Sequence, residues 1–481
     1  MTAMNYGEQH DHPMLSVFTP EQVRQVHAAT MEVLAHTGFR ITHPGARALL
    51  EGAGASVTDD RVRLPVQMVE NAIQTSPSSF AMGKPNGEPA MFLEESSVFF
   101  GAALDAGEYL DPETDQRRKF TSSDCRVMAT IANALPNYSY CMTLGFSADV
   151  PASIANRVAA KQALTHSEKP LVCCCGNIDS LRAIYDMAVL IAGSEERFRM
   201  APSIATLCSA ISPLSYDDDT VDKIFFCAEK GIPQISYSGL QAGATSPATF
   251  AGTIVQGSAE SLGGLVMSQL ARKGSPVIYG AFTTIMDMAT AVFSYGAPEM
   301  SMMNAAMAQL SKHYNLPFFG TAGCSDAKYQ DDPQAVAEAT LSCLSAALSH
   351  ASLVHDLGLL DHSELISPAY LVMIDEVLSM VRAFMRGVSV NDETLAIDQI
   401  DRVGPRGHYL AEDHTMRHFR DVWYPQLFER SHYETWRSQG AVPFSERLRQ
   451  KTRDLMSSKS CPLPNGLVKE LDRMAAHWEK E

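Results

Sequence analysis

The chain has 481 residues, a formal net charge of −17, 46% hydrophobic and 19% charged residues, and ten cysteines. This apolar content excludes a disordered chain, and the low cysteine density excludes a disulfide-stapled secreted module. The acidic balance argues against nucleic acid and anionic membrane surfaces as partners, because both attract basic proteins.

Targeting and membrane segments are absent from the sequence pattern. Residues 1–13 are polar and lack the apolar core of a signal peptide, and no run of about 18 uncharged apolar residues predicts a transmembrane helix. Apart from Cys173-Cys174-Cys175 the cysteines are scattered, and they include no CxxC pair, which is typical of reduced thiols. The sequence therefore predicts a cytoplasmic protein that binds neither membranes nor nucleic acid.

Residues 1–92 predict a helical region with a small β element. Thr19-Pro20-Glu21 predicts a helix start, because a capping hydroxyl precedes a proline and an acidic residue in the first turn. Gly38 predicts the end of that helix. Two short apolar runs, Ser56-Val57 and 62–64, predict a hairpin. Two further short helices are predicted at 44–52 and 66–74.

Residues 93–390 predict a (β/α)8 barrel. Eight short apolar runs recur, and a loop and an amphipathic helix follow each of them, which indicates parallel strands with crossover helices. Nearly all-apolar strands are typical of a parallel sheet buried on both faces. The runs are 98–100, 138–144, 170–175, 203–208, 234–237, 277–279, 317–320 and 352–355.

An open doubly wound sheet is the alternative fold. That fold usually carries a glycine-rich phosphate loop after an early strand, but residues 101–107 do not match GxGxxG.

Residues 391–481 predict a helical appendage packed on the barrel. This polar tail contains all three tryptophans, which we expect to anchor it. They are Trp423, Trp436 and Trp478.

In a barrel of this kind, function lies in the loops that follow the carboxyl ends of the strands. Aromatic residues are frequent there, and the faces of Tyr and Phe attract a desolvated quaternary ammonium group. The pattern favours a methylammonium ligand. The aromatic residues are Tyr109, Phe146, Tyr216, Tyr237, Tyr279, Phe282, Phe293, Tyr295 and Phe319.

The residues at the same strand ends are compatible with two other chemistries, a zinc site and a Schiff-base lysine. Cys324 and His355 supply only two of the ligands that a zinc site needs, so no metal site is predicted. Lys328 is a candidate Schiff-base lysine, although a lysine in such a loop more commonly forms an ion pair.

Several segments resemble the trimethylamine methyltransferase superfamily, in particular members without pyrrolysine, which include glycine betaine:corrinoid methyltransferases. LSVFTPEQV at 15–23, followed by HAATMEVL at 27–34, is similar to the family's N-terminal helix. PFFGTAGCSDAK at 317–328 resembles its seventh-strand segment, HDLG at 355–358 its eighth, and MRG at 385–387 the end of the following helix. The similarity covers nearly the whole chain.

The resemblance implies a (β/α)8 barrel that moves a methyl group from a methylamine-type substrate to the cobalt of a partner corrinoid protein. It implies no tightly bound cofactor, because the partner supplies the cobalamin-type group. The trimethylamine enzymes carry pyrrolysine, whereas this chain has only standard residues. A quaternary amine is therefore the expected substrate, since it leaves as a neutral tertiary amine without needing a proton. Glycine betaine, proline betaine, carnitine, γ-butyrobetaine and trimethylamine remain open, and a homo-oligomer is expected.

The expected substrate site has two parts, and no residue in it is assigned as catalytic. His355 and Lys328 are expected to hold the carboxylate of a betaine. The aromatic residues expected to hold the trimethylammonium group are Phe146, Tyr237, Phe282 and Tyr109.

Each part of this interpretation has an alternative. His355 is equally compatible with a structural hydrogen bond to Asp356 or to the backbone, and Lys328 with an ion pair to Asp326 or Asp332. Alternative functions are a quaternary-amine binding protein without turnover and a methyltransferase that uses a folate as acceptor.

Overall fold

Eight parallel strands form a closed barrel in the computed structural model, which describes residues 4–5, 13–94, 97–103, 105–458 and 462–478. Each strand pairs with the next one along the chain, and the eighth pairs with the first, Leu353 lying opposite Phe99. The strands are β1 (Ser97–Ala102), β2 (Tyr140–Met142), β3 (Leu171–Cys173), β4 (Ile204–Ala210), β5 (Gln234–Ala242), β6 (Val277–Gly280), β7 (Phe318–Thr321) and β8 (Leu353–Leu357). The predicted (β/α)8 barrel is confirmed, and the open doubly wound alternative is wrong.

A helix follows each strand, and local sequence determines where these helices begin and end. Asp217 caps the fourth helix by accepting from the backbone N–H of Thr220, and Gly231 ends it with a left-handed φ of 76°. The helices are α1 (Ser122–Ala134), α2 (Ala152–His166), α3 (Ile178–Ala192), α4 (Asp218–Lys230), α5 (Phe250–Ala271), α6 (Pro298–His313), α7 (Pro333–Leu348) and α8 (Pro368–Met385).

The N-terminal region follows the predicted pattern. Its first helix, Pro20–Glu32, is capped by Thr19, whose side chain accepts from the backbone N–H of Gln22. The predicted hairpin forms between Ser56–Thr58 and Arg61–Arg63. The other elements before the barrel are the strand Phe39–Ile41 and the helices Pro44–Gly52 and Val66–Thr75.

A second hairpin, which the sequence analysis did not predict, closes the amino-terminal end of the barrel. It pairs Phe80–Gly83 with Pro89–Leu93. Its side chains Met82, Met91 and Leu93 pack into one apolar cluster with the inward-facing strand residues. The barrel interior is therefore filled from this end, and the carboxyl ends of the strands form the other end, called the mouth below.

The C-terminal appendage packs against the barrel through a few specific contacts. The buried Glu376 of α8 accepts hydrogen bonds from the backbone N–H groups of Gln426, Leu427 and Phe428, at 2.8, 3.0 and 3.2 Å. Its helices are Asp392–Leu395, Ile397–Val403, Asp413–His418, Tyr433–Ser438, Phe444–Met456 and Asn465–Trp478.

Two of the three tryptophans make the expected anchoring contacts. Trp423 donates to Ser379 Oγ of α8 at 2.8 Å, and the guanidinium of Arg157 of α2 lies 5.9 Å from the Trp478 ring. Trp436 instead donates to Val442 O inside the appendage. The boundaries at 92 and 390 stay a prediction, although every barrel element lies between them.

The helices and the cysteines can be compared with two further expectations from the sequence. None of the helices within the described ranges has the length and apolarity that crossing a bilayer requires. Nine cysteines are described, and all nine are free thiols, in agreement with the predicted reduced state. Cys461 lies outside the described residues.

Candidate functional site

A bulge in β8 brings two adjacent side chains to the inside of the barrel. The pairing of β8 with β1 shifts register between Val354 and Leu357, and Asp356 has a left-handed φ of 73°. Neighbouring side chains of a regular strand point to opposite faces, whereas a bulge re-aims one of them. His355 and Asp356 are both fully buried, and both interact with inward-facing aromatic residues.

The ring of His355 is held by a hydrogen bond to a backbone carbonyl and by stacking on another aromatic ring. Its Nδ1 lies 2.7 Å from Gly320 O, and because a carbonyl only accepts, Nδ1 carries the hydrogen. Its ring stacks on Phe319 with centroids 4.1 Å apart. Its Nε2 faces the Tyr237 hydroxyl and Asp356 Oδ2, each at 3.4 Å. The ring is thus fixed by the backbone on one side and faces a hydroxyl and a carboxylate on the other.

Asp356 is a buried carboxylate without a well-formed hydrogen bond. Neither of its oxygens has such a partner among the described residues, and no lysine or arginine of that part of the chain forms an ion pair with it. Burial raises the pKa of Asp356, while His355 and the Tyr295 hydroxyl offset part of that rise. An unpaired carboxylate in a left-handed conformation is costly, and such features concentrate at functional sites.

A second unpaired carboxylate follows the neighbouring strand β1. Both oxygens of Asp105 are buried without a well-formed hydrogen bond among the described residues. Burial raises its pKa well above the usual range, and the nearby Thr143 offsets part of the rise. Burial first, and then Asp105 and Asp356, raises the pKa of the Cys174 thiol, so both carboxylates lie within electrostatic range of that thiol. We call Asp105 and Asp356 the buried acidic pair.

Aromatic rings lie next to Asp356. Tyr237 of β5 packs edge-on against Phe319 and His355, at 5.7 and 5.8 Å between centroids. Burial and the charge of Asp356 raise the pKa of Tyr237 well above its usual range, so its hydroxyl stays protonated.

A second ring cluster follows β6. Phe282 lies 4.7 Å from Tyr295, and Phe293 lies 5.6 Å from Tyr295, measured between centroids. Burial first, and then Asp356, raises the pKa of Tyr295 well above its usual range. Tyr295 thereby connects the Phe282 cluster to the buried acidic pair.

Lys328 lies at the outer edge of the mouth and already has partners. Its Nζ is 2.5 Å from Asp361 Oδ1 and 2.9 Å from Asp326 O. Asp361 also pairs with Arg117 at 2.7 Å. Lys328 thus forms an ion pair, but the expected partner, Asp326 or Asp332, is wrong, because the carboxylate that it contacts is that of Asp361.

The two remaining predicted residues lie apart from the acidic pair. Phe146 is 51% exposed in the loop after β2. Tyr109 is buried in a small sheet beside the mouth, and the guanidinium of Arg118 covers its ring at 4.3 Å from the centroid. The structure therefore brings Tyr237 and His355 into contact. The ring of Tyr295 separates Phe282 from Asp356. Lys328, Phe146 and Tyr109 lie farther out.

The Cys324 thiol is unsuited to bind zinc. Burial, together with Asp356 and Asp326, raises the pKa of Cys324 well above its usual range. A metal ligand has to be a thiolate, and this environment favours the protonated thiol.

The substrate site expected from the sequence does not include Asp105, Asp356 or Tyr295, although Tyr295 is one of the strand-end aromatic residues that favour a methylammonium ligand. All three stand in loops or strand ends at the mouth, where the barrel rule places function. The signal available was the position of two acidic residues next to aromatic ones at the ends of neighbouring strands β1 and β8.

Comparisons with known proteins show which family the chain is similar to. A family model described as trimethylamine methyltransferase (MTTB) matches residues 3–481. The chain is 32% identical over 470 residues to the trimethylamine methyltransferase MttB of Desulfitobacterium hafniense (strain DCB-2), covering 97% of this chain and 95% of that protein. It is 29% identical over 430 residues to the glycine betaine methyltransferase of D. hafniense (strain Y51), covering 88% and 89%.

A solved structure supports the architecture independently. The hydroxylamine complex of MtmB matches with a TM-score of 0.50 at 13% identity and covers 95% of this chain and 92% of that one, which shows a shared fold. The family model spans almost the full length, and the MttB relative covers nearly all of the chain. The chain therefore belongs to the trimethylamine methyltransferase (MTTB) family.

Proposed function

We propose that this protein removes a methyl group from a quaternary amine, glycine betaine or a related betaine, and transfers it to the Co(I) of a corrinoid held by a partner protein. The observation that carries this proposal is the buried carboxylate of Asp356 next to the rings of Tyr237 and Tyr295, with a second buried carboxylate, Asp105, in the same interior. Buried carboxylates without a cation need a positively charged partner, and aromatic faces select one that cannot donate hydrogen bonds. The names of the relatives, which include a glycine betaine methyltransferase, support the same substrate class.

The mouth fits a broad, partly apolar group presented from outside. Four loops at the carboxyl ends of different strands each expose a large side chain that has apolar surface. They are Phe146, Ile211, Met288 and Tyr329, with exposed fractions of 51, 53, 68 and 51%. A reduced corrinoid supplies a strongly nucleophilic cobalt that accepts the methyl group. These four residues would contact the group or the protein that carries it.

The residues of the mouth bind and orient the ammonium group. The face of Tyr237 and the ring cluster around Phe282 exclude water from the methyl groups, and Asp356 supplies the opposite charge. The quaternary nitrogen leaves as a neutral amine, so no residue has to donate a proton to it. The work of the site is therefore desolvation and positioning.

The carboxylate of a betaine points outward in this arrangement. The buried acidic pair repels it from the interior, and two positive groups, Arg117 and Lys328, lie at the rim, where they share Asp361. Lys328 keeps its predicted role in this proposal, whereas His355 acts on the ammonium side of the site.

Purified protein incubated with cob(I)alamin and a substrate panel tests the proposal. Glycine betaine, proline betaine, carnitine, tetramethylammonium and trimethylamine should be compared by the formation of methylcobalamin. We expect turnover with at least one quaternary amine and none with trimethylamine. Absence of methylcobalamin above the no-enzyme control for every compound would reject the enzyme, and calorimetric binding without turnover would favour a binding protein.

Substrate affinity should increase with pH. The pKa of Asp356 is raised by burial, so at lower pH its carboxyl group becomes neutral and loses its attraction for the cation. Below that pKa the affinity should fall by up to about tenfold per pH unit, since one proton competes with the ammonium group. Calorimetric titration of tetramethylammonium between pH 5 and 8 measures this dependence, to which Asp105 also contributes because burial raises its pKa. A pH-independent affinity would contradict a counter-ion role for the acidic pair.

Tyr237→Leu should weaken substrate binding, while Tyr237→Phe should not. Leucine removes the aromatic face, which is worth about 1–2 kcal/mol to a desolvated cation, so KM should rise about tenfold. Phenylalanine keeps the face and loses only the hydroxyl that lies 3.4 Å from His355 Nε2. Steady-state kinetics of both variants measure the difference, and equal KM values would show that the ring does not contact the ammonium group.

A further inference from the structure

A cluster of potential metal ligands lies in the C-terminal appendage, outside the barrel. One ligand atom each from Glu393, His414 and His418 lie within 4.8 Å of one another. The two histidines are one turn apart on the helix Asp413–His418, and their ring centroids are separated by 4.5 Å. We propose that these three residues bind a divalent transition-metal ion of the Zn²⁺ type.

The ligand set has the chemistry that zinc uses. Two imidazole nitrogens and one carboxylate oxygen leave a fourth tetrahedral position for water. Glu393 and His414 border a surface cleft of about 370 Å³, through which an ion and its water can enter.

The carboxylate of Asp421 orients the ring of His418. Asp421 Oδ2 lies 2.8 Å from His418 Nδ1, so Nδ1 donates to it, while Nε2 faces Glu393 Oε1 at 3.4 Å. A carboxylate on the far nitrogen fixes the tautomer that presents the other nitrogen to a metal and makes it more basic. Asp421 therefore has the position expected of a residue that hydrogen-bonds a metal ligand without contacting the metal.

The segment that contains the cluster lacks a core of its own. Every residue from 386 to 424 is described, and none of them is buried. Its helices Asp392–Leu395, Ile397–Val403 and Asp413–His418 are too short to be stable alone. A metal that joins Glu393 to the helix of His414 and His418 would link two parts of this segment, as metals do in domains with small cores.

An ion-pair network is the competing explanation. Arg417 donates to Glu393 Oε1 from Nη2 at 2.8 Å and from Nε at 3.2 Å. Both bonds use one oxygen of Glu393, and the Arg417 side chain is 54% exposed, so it can move or stay beside a bound ion. The network and the metal site differ in what they predict for added Zn²⁺.

Zinc titration of untagged, chelator-treated full-length protein tests the proposal. We expect one Zn²⁺ per chain, measured by competition with a chromogenic chelator, and a tetrahedral absorption spectrum with Co²⁺. His414→Ala/His418→Ala should lower the affinity at least about 100-fold, and Asp421→Asn about tenfold, the range found for outer-shell partners. His408→Ala, an exposed histidine of the same appendage, is the matched control and should leave the affinity unchanged.

Two outcomes would overturn the site. One is a wild-type protein that binds no Zn²⁺ at micromolar concentration, and the other is a double variant that binds as tightly as the wild type. Because circular dichroism reports whether each variant is folded, unfolding cannot imitate loss of the ligands. Zn²⁺ should also slow proteolysis within 386–424 in the wild type and not in the double variant, a readout that is independent of methyl transfer.

Discussion

Asp356→Asn is expected to lower kcat/KM for a quaternary amine about 100-fold, which corresponds to about 2.7 kcal/mol. Asparagine has nearly the same shape and tolerates the left-handed φ of 73° found here, so the backbone of the bulge should remain unchanged. The variant removes only the charge that faces the ammonium group, and the loss of one partner of a buried charge pair typically costs 2–5 kcal/mol.

The same substitution should not destabilise the fold. Asp356 has no ion pair with lysine or arginine in the described part of the chain and no well-formed hydrogen bond, so its burial is unfavourable without a ligand. The free energy of unfolding of the ligand-free variant should equal or exceed that of the wild type. Loss of activity together with unchanged or higher stability distinguishes a substrate-binding residue from a structural one.

Steady-state kinetics with cob(I)alamin and chemical denaturation measure these two quantities. Asp331→Asn is the matched control, because Asp331 is an exposed carboxylate in the loop after β7 and should leave both unchanged. A variant at position 356 with wild-type kcat/KM would show that the ammonium group binds elsewhere.

Glu376→Ala is expected to detach the C-terminal appendage locally from α8. One carboxylate oxygen accepts three backbone N–H groups there, at residues 426–428, and alanine leaves all three, including that of the buried Leu427, without an acceptor. A single unpaired buried donor costs about 1–3 kcal/mol, so a local loss of about 3 kcal/mol is expected. The amides of residues 426–428 should then exchange with solvent at least about 100-fold faster, since each 1.4 kcal/mol is a factor of ten.

Glu376→Gln is the control for charge. Glutamine keeps an acceptor oxygen at the same place and loses only the negative charge, so its exchange rates should rise much less than those of the alanine variant. Hydrogen–deuterium exchange by mass spectrometry resolves this region. Equal protection of residues 426–428 in the wild type and in Glu376→Ala would show that other contacts hold the appendage.

The barrel could be predicted from the sequence because its strands are nearly all apolar and recur with a helix between them. The hairpin at Phe80–Gly83 and Pro89–Leu93 was missed, although the dipeptide Asn86-Gly87 between two apolar runs is a strong hairpin signal.

The candidate site was predictable in part for a different reason. Tyr237, Phe282 and His355 follow from the rule that function lies at the carboxyl ends of the strands. The role of Asp356 depends on a register shift between β8 and β1, and pairing register is not visible in one sequence. Partners such as Asp361 for Lys328, or Arg118 for Tyr109, depend on the packing of loops that are distant along the chain.

The hairpin that closes the amino-terminal end of the barrel has a kinetic consequence. Met82, Met91 and Leu93 fill that end, so within the described residues the mouth is the end through which a small molecule would reach the interior. In the function proposed above, an acceptor protein that covers the mouth would trap whatever is inside. The amine would then enter before the methyl acceptor docks, and the demethylated amine would leave after the acceptor departs, so the two substrates should obey a compulsory binding order.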